Sequence, residues 1–231
     1  MSGQADVRPH GTDADPAGLP QSYVLLHGWQ NRRPAGHWHH WLAEQLRAAG
    51  HHVEYPQLPD PDEPKPGQWV DAIVEALHAT RGTRQTVVCH SLGCLAWLHL
   101  RATTQFAEAV NVDRLALVAP PSPPVVRSIP EIASFAPQAG SAVRPRELWD
   151  GVPIGARHAR LVHSDNDRYC PEGADVFYGR PLGIVSDLMP GQGHLDMDAG
   201  YGSWPSMLAW CLDERARIEP RPAEPGTVGG P

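Results

Sequence analysis

Six short apolar runs, several of them ending on a proline, a histidine or an aspartate, constrain this chain more than any other feature. They are YVLLH (23–27), HHVEYP (51–56), QTVVCH (85–90), DRLALVAP (113–120), ARLVHSD (159–165) and LGIVSDLMP (182–190). Stretches with apolar residues at helical spacing lie among them, at 37–50, 67–80 and 92–103, and another follows at about 204–215. The pattern predicts six strands with helices between them. Strands this apolar need cover on both faces, so the sheet is expected to be mainly parallel, with helices on either side. Right-handed crossovers then restrict the topology to a doubly wound α/β sandwich. Ligands on such sheets bind beyond the carboxyl ends of the strands. Five places follow: His27-Gly28-Trp29, Cys89-His90-Ser91, the region of Pro120, Asp165-Asn166-Asp167 and Gly193-His194.

The third run leaves its strand abruptly. In TVVCHSLGCLAW (86–97) the β-branched stretch stops at Cys89, and a helical pattern begins at Leu92. Taken alone, Ser91 reads equally well as a helix cap. A serine presented as a nucleophile has the same setting, a tight strand-to-helix turn of the form G-x-S-x-G. Small residues flank it because the backbone is strained and neighbouring strands press close. Here Cys89 replaces the first glycine and Gly93 supplies the second. A hydroxyl also needs a base to take its proton and an acid to orient that base, and on this architecture they follow in the order Ser, acid, His. The loop HSDNDRYCP contains two carboxylates, Asp165 and Asp167. Asp167 is preferred because Asp-x-x-x-Pro matches an acid turn, while Asp165, nearer the strand, is suited to capping backbone N–H groups. The Gly-rich PGQGHLDMDAG supplies His194. Backbone donors for an oxyanion are expected from Leu92, after the serine, and from Trp29, with Gly28 freeing the chain to turn inwards.

Thirteen histidines leave several rivals. His90 adjoins Ser91, and consecutive residues near a strand end point apart, which makes it a poor base. His37, His39 and His40 miss the i,i+4 spacing of a zinc-binding helix. His27 reads as a loop-fixing residue, and His51 and His52 as ordinary residues at a strand start. Trp29 and Trp38 are candidates for an apolar pocket wall, with core packing as the alternative. Trp41, Trp69 and Trp97 fall at helical spacing and are assigned to the core. The four cysteines form no CxxC pair and read as reduced core residues.

Composition removes other classes. With 19 Lys and Arg against 26 Asp and Glu, and no basic cluster, nothing favours nucleic acid. No apolar run approaches the ~18 residues of a membrane span. The N-terminus has no secretory apolar segment, so a cytoplasmic location is the expectation. Residues 1–20 and 219–231 lack apolar periodicity and read as disordered tails around a single domain, 21–218. No phosphate loop, dinucleotide fingerprint or metal ligand set competes for the chemistry, so no cofactor is expected.

The segments YVLLHGW, GHWHHWL, VEYPQLPDPDEPKPGQWVDAI, CHSLGC, SDNDRYCP and GHLDMDAGYGSWP together resemble the YdeN family of small serine hydrolases, over about residues 22–212. The resemblance implies a compact α/β-hydrolase fold and a triad of Ser91, Asp167 and His194. Cys89 departs from the Gly or Ala common before the nucleophile, and Asp196 from the Asn frequent after the histidine. The family implies action on small esters and leaves the natural substrate open. The interval 121–158, stiffened by prolines, allows only a minimal lid and disfavours a long lipid chain. The expected function is hydrolysis of small carboxylic esters through an acyl-enzyme. A thioesterase, a lactonase or an acyl-transfer or cyclising enzyme on a biosynthetic intermediate is an alternative. So is a catalytically silent hydrolase fold that only binds. The expected partner is a small-molecule ester or thioester, and the oligomeric state stays open.

Overall fold

The computed structural model describes residues 18–103, 112–137 and 147–221. Its centre is one sheet of six strands: β1 (Gln21–Leu26), β2 (His52–Glu54), β3 (Arg84–His90), β4 (Val112–Val118), β5 (Ala156–His163) and β6 (Val185–Leu188). The order is β2-β1-β3-β4-β5-β6, and every neighbouring pair is parallel. From β1 the chain steps outward to β2, then returns across β1 to build the rest of the sheet. The order therefore reverses between β1 and β3, and a crevice opens beyond their carboxyl ends.

Four helices cover the two faces. Side chains alternate along a strand, so each strand serves both layers. Tyr23, Leu25, Val88, Ala116 and Val118 face α1 (Trp38–Ala48) and α6 (Pro205–Leu212), packing with Trp38, Leu42 and Trp204. Val24, Leu26, Val87, Leu115 and Leu117 face α2 (Pro66–Ala79) and α3 (Leu92–Ala102), packing with Trp69, Ile73 and Leu95. Pro66 and Pro205 start their helices, where a missing N–H costs nothing. After β4 come α4 (Pro123–Ser128) and a 3-10 turn, Ala133–Phe135, which form the cover. Residues 138–146 of the expected cover lie outside the described residues.

The strand boundaries differ from the sequence reading at three places. β2 is only three residues long. β5 starts at Ala156 rather than 159, because Ala156 and His158 pair with Val112 and Arg114 although Arg157 and His158 are exposed. Exposed pairing residues carry no apolar signal. β6 starts at Val185 rather than 182, because a helical segment fills the connection: a π turn, Asp175–Gly179, runs into α5 (Arg180–Leu182) and stops at Gly183, φ 64°. Packing also continues past residue 218. The Glu219 carbonyl accepts from Trp204 Nε1 and Ser206 Oγ, both at 2.8 Å, and the Arg221 N–H donates to the Tyr201 hydroxyl at 3.3 Å. Of the expected tails, 1–20 and 219–231, residues 1–17 and 222–231 lie outside the described residues.

Trp38, Trp69 and Trp97 are fully buried, and Trp41 is half-buried against the α1/α6 layer. All four cysteines are free and buried. Among the described residues no helix is long and apolar enough to cross a membrane.

One glycine sets how closely α3 meets the sheet. A Cβ on Gly93 would lie 2.5 Å from the Leu26 carbonyl oxygen and 2.7 Å from that of His27. Backbone cannot yield as a side-chain tip can. Gly93→Ala is therefore expected to lower the denaturant midpoint, costing about 1–3 kcal/mol or more as overpacking. Gly67→Ala, in α2 with nothing near a new Cβ, should instead be neutral or stabilise by up to about 1 kcal/mol.

Candidate active site

The ends of β1, β3, β5 and β6 bring their loops together around Ser91. The serine follows the last residue of β3 and precedes the first of α3, at φ 53° and ψ −124°. This conformation is unfavourable for a side chain with a Cβ and costs about 1–3 kcal/mol. It is held by the Ser91 N–H, which donates to the Val118 carbonyl at 2.8 Å, and by the packing of α3. The Ser91 side chain makes no cap bond to its helix. Its Oγ lies 2.9 Å from His194 Nε2 instead, and His194 Nδ1 lies 2.8 Å from Asp167 Oδ2. A carboxylate only accepts, so Nδ1 carries the proton and Nε2 of the neutral ring is left to accept from the serine hydroxyl. The second Asp167 oxygen accepts the Tyr169 N–H at 2.8 Å, and Asp167 and His194 are both buried.

Asp165, the other carboxylate of this loop, is turned away from the ring, and its Oδ1 accepts the Gly191 N–H at 2.7 Å. It belongs to a clamp between two loops. Ser164 Oγ accepts the Gln192 N–H at 2.9 Å and donates to Asn166 Oδ1 at 2.7 Å; Asn166 Oδ1 also accepts the Gly193 N–H at 2.7 Å. Three consecutive side chains of the Asp167 loop thus grip the three residues before His194.

Trp29 and Leu92 both line the cavity over Ser91, and among the described residues neither N–H is spent in a turn or cap bond. Gly28 explains how the first loop comes so close, since a Cβ there would stand 2.8 Å from Ser91 Cβ and 3.2 Å from its Oγ. His27 fixes the same loop: its Nε2 accepts the Leu58 N–H at 2.9 Å, so Nδ1 donates to the Gly28 carbonyl at 2.8 Å. Trp38, the other candidate for the wall, is in the core and not at the cavity. Cys89 is fully buried behind the turn, and burial pushes its thiol pKa well up.

Arg168 and Tyr169 had no individual signal in the sequence, whereas His90 lies as its place beside Ser91 predicts. His90 points away from Ser91, and its Nε2 donates to the His194 carbonyl at 3.1 Å. Its ring packs at 5.1 Å against that of His194 and at 5.2 Å against His37. Tyr169 packs on His194 at 4.5 Å, with the Arg168 guanidinium 4.9 Å over the tyrosine ring. His27, His37, His39 and His90 are all buried. Burial holds His27 and His37 down to about 4, and His39 and His90 well below the ordinary histidine value, with mutual repulsion adding to this around His90. These rings are neutral and packed. Among the described residues no group of three or more His, Cys, Asp or Glu is placed to hold a metal ion.

A parallel sheet with this strand order, a strained serine at the β3–α3 turn and an Asp–His pair from later loops define an α/β-hydrolase fold. The pattern that defines the serine hydrolase family matches residues 23–212, and the chain belongs to that family. It is similar to the hydrolase YdeN of Bacillus subtilis (strain 168), with 23% identity over 191 residues, 81% of this chain and 92% of YdeN. The crystal structure of the B. subtilis ydeN product superposes with a TM-score of 0.66 at 21% identity, covering 84% of this chain and 97% of that one. An esterase domain from Rhodothermus marinus superposes at 0.56 with 17% identity, over 84% and 87% of the two chains. A thioesterase of the prodiginine pathway of Streptomyces coelicolor does so at 0.50 with 17% identity, over 89% and 95%.

Proposed function

We propose that this protein hydrolyses small carboxylic esters through an acyl-enzyme formed on Ser91. The observation that carries this reading is the continuous chain from Ser91 Oγ through His194 to Asp167, with the serine in a strained turn. Ser91 Oγ bonds to the ester carbonyl carbon while His194 Nε2 takes its proton. Asp167 holds the imidazolium. The Trp29 and Leu92 N–H groups stabilise the oxyanion, the second aided by the start of α3. As the tetrahedral intermediate collapses, the bond to the leaving oxygen breaks and His194 returns the proton to it. Water then attacks the acyl-enzyme, giving its proton to His194, and the ester bond to Ser91 breaks as Oγ is reprotonated.

A thioester substrate is the second reading. The same groups serve it, and the superposition on the S. coelicolor thioesterase favours it over a lactone. The reduced state of the buried cysteines fits a cytoplasmic enzyme. A fluorophosphonate probe tests the shared premise, because only an activated hydroxyl is labelled. Wild-type protein should be modified at Ser91 and turn over p-nitrophenyl acetate; folded Ser91→Ala should do neither. A folded wild type that resists the probe would identify a silent binding module instead.

The clamp carries its own expectation. A shift of about 1 Å in a catalytic group can cost roughly 100-fold. Ser164→Ala and Asn166→Ala are expected to lower kcat about 10- to 100-fold with KM nearly unchanged. Asn166→Asp, which keeps the oxygen acceptor for the Gly193 N–H, should recover most of the loss. Equal losses from all three variants would show that the clamp does not position His194.

A further inference from the structure

The cavity over Ser91 has two unlike ends, and they belong to different layers of the fold. At one end stand Trp29, Leu92, Val125, Ile129 and Ile132. Leu92 and Ile132 are members of the α2/α3 core, and Trp29 and Ile129 pack against it. At the other end stand His37, Asp196, Met197 and Asp198. There, Leu195 beside His194 belongs to the α1/α6 core, His37 stacks on Trp38, and Met197 lies over Gly36 just before α1. Ser91 sits between the two.

The proposed chemistry orients a substrate across this divide. The leaving oxygen takes its proton from His194 Nε2, so the leaving group must extend towards the loop that carries His194. The acyl chain is then directed to the opposite, apolar end. Val125 in α4, Ile129 at its C-terminal cap and Ile132 just before the 3-10 turn all line the cavity, while Val126 and Phe135 are buried in the core. Ile132 is only 3% exposed and sits one turn before Phe135, which packs edge-on against Trp69 at 5.2 Å. Fully buried aromatic rings do not yield to a longer chain. The whole cavity holds about 220 Å³.

We infer that Val125, Ile129 and Ile132 of the cover form an acyl subsite that selects short saturated acyl chains, closed off by the buried Phe135 behind Ile132, and that the polar end receives the leaving group. This rests on the ester-hydrolase reading above.

The test is a kcat/KM profile of p-nitrophenyl esters from acetate to octanoate for the full-length protein. Wild type should peak between acetate and butanoate and fall at least tenfold by octanoate. Ile132→Ala should raise the octanoate-to-butanoate ratio about tenfold or more, since each methylene accommodated is worth about fourfold. Ile129→Ala, at a half-buried position that the fold tolerates better, should move the ratio the same way. Val125→Phe should narrow the profile towards acetate. Met197→Ala should leave the acyl profile in place while altering KM along a series of alcohol groups. A flat or long-chain wild-type profile, an unmoved profile in folded cover variants, or a profile moved by Met197→Ala would each overturn the subsite while leaving the hydrolase reading intact. Absence of turnover with every ester would overturn the hydrolase reading itself.

Discussion

His194→Ala is expected to lower kcat for a small ester by roughly 10^4- to 10^6-fold without unfolding the protein. Among the described residues the ring is the only group hydrogen-bonded to Ser91 Oγ, and without it the hydroxyl has no acceptor for its proton. Because the two groups act as one unit, the Ser91→Ala/His194→Ala double variant should be no slower than either single variant. Asp167→Asn should be nearly as damaging, by roughly 10^4-fold, for a different reason. Its carbonyl oxygen keeps the Tyr169 N–H, so the amide NH2 faces His194 Nδ1 and forces the ring proton onto Nε2. That nitrogen then cannot accept from the serine. Single-turnover and steady-state rates on purified, folded variants decide this; substantial activity in His194→Ala would remove the proposed base.

The second large effect is on stability in acid. In the native state His27 and His37 titrate at about 4, and His39 and His90 well below the ordinary value, whereas all four bind protons near 6.5 once unfolded. Between those values the unfolded chain holds more protons, so stability rises with pH and is lost as pH falls below about 6.5. Each histidine contributes about 1.4 kcal/mol per pH unit within its window. Four together approach 5 kcal/mol per unit, against a total of roughly 5–15 kcal/mol for an ordinary domain. Denaturant midpoints should be level from pH 8 to 7 and drop steeply between pH 6 and 5. His39→Leu should make the slope shallower by about one proton, since among the described residues both ring nitrogens are buried without a hydrogen-bond partner and the ring contributes packing. A midpoint that stays level down to pH 5 would mean that these rings protonate without unfolding.

The activity profile should follow the same limb. The native rings stay neutral over this range, so activity should be lost together with the folded population and not ahead of it.

Much of the fold was legible because parallel strands buried on both faces leave long apolar runs, and β1, β3 and β4 are such runs. Where the sheet edge is exposed the signal fades. The start of β5 at Ala156 and the π turn before β6 were missed because their residues pair or coil without forming an apolar pattern. At the site, Ser91 and His194 were marked by local chain chemistry: a serine at a strand-to-helix turn and a histidine in a Gly-rich loop. The choice between Asp165 and Asp167 could be argued from an acid turn, and in the structure only Asp167 reaches the ring.

By itself the amino-acid sequence determined the layers and the order of candidate groups. Burial periodicity and glycine placement act over a few residues and are written along the chain. Only the tertiary structure decided that Ser164 and Asn166 grip the His194 loop, that His90 supports His194 rather than Ser91, and that the cavity has an apolar and a polar end. The hydrogen bonds among them join residues between 27 and 104 positions apart. Distances at that range are set by strand order and register, which no single stretch of sequence contains.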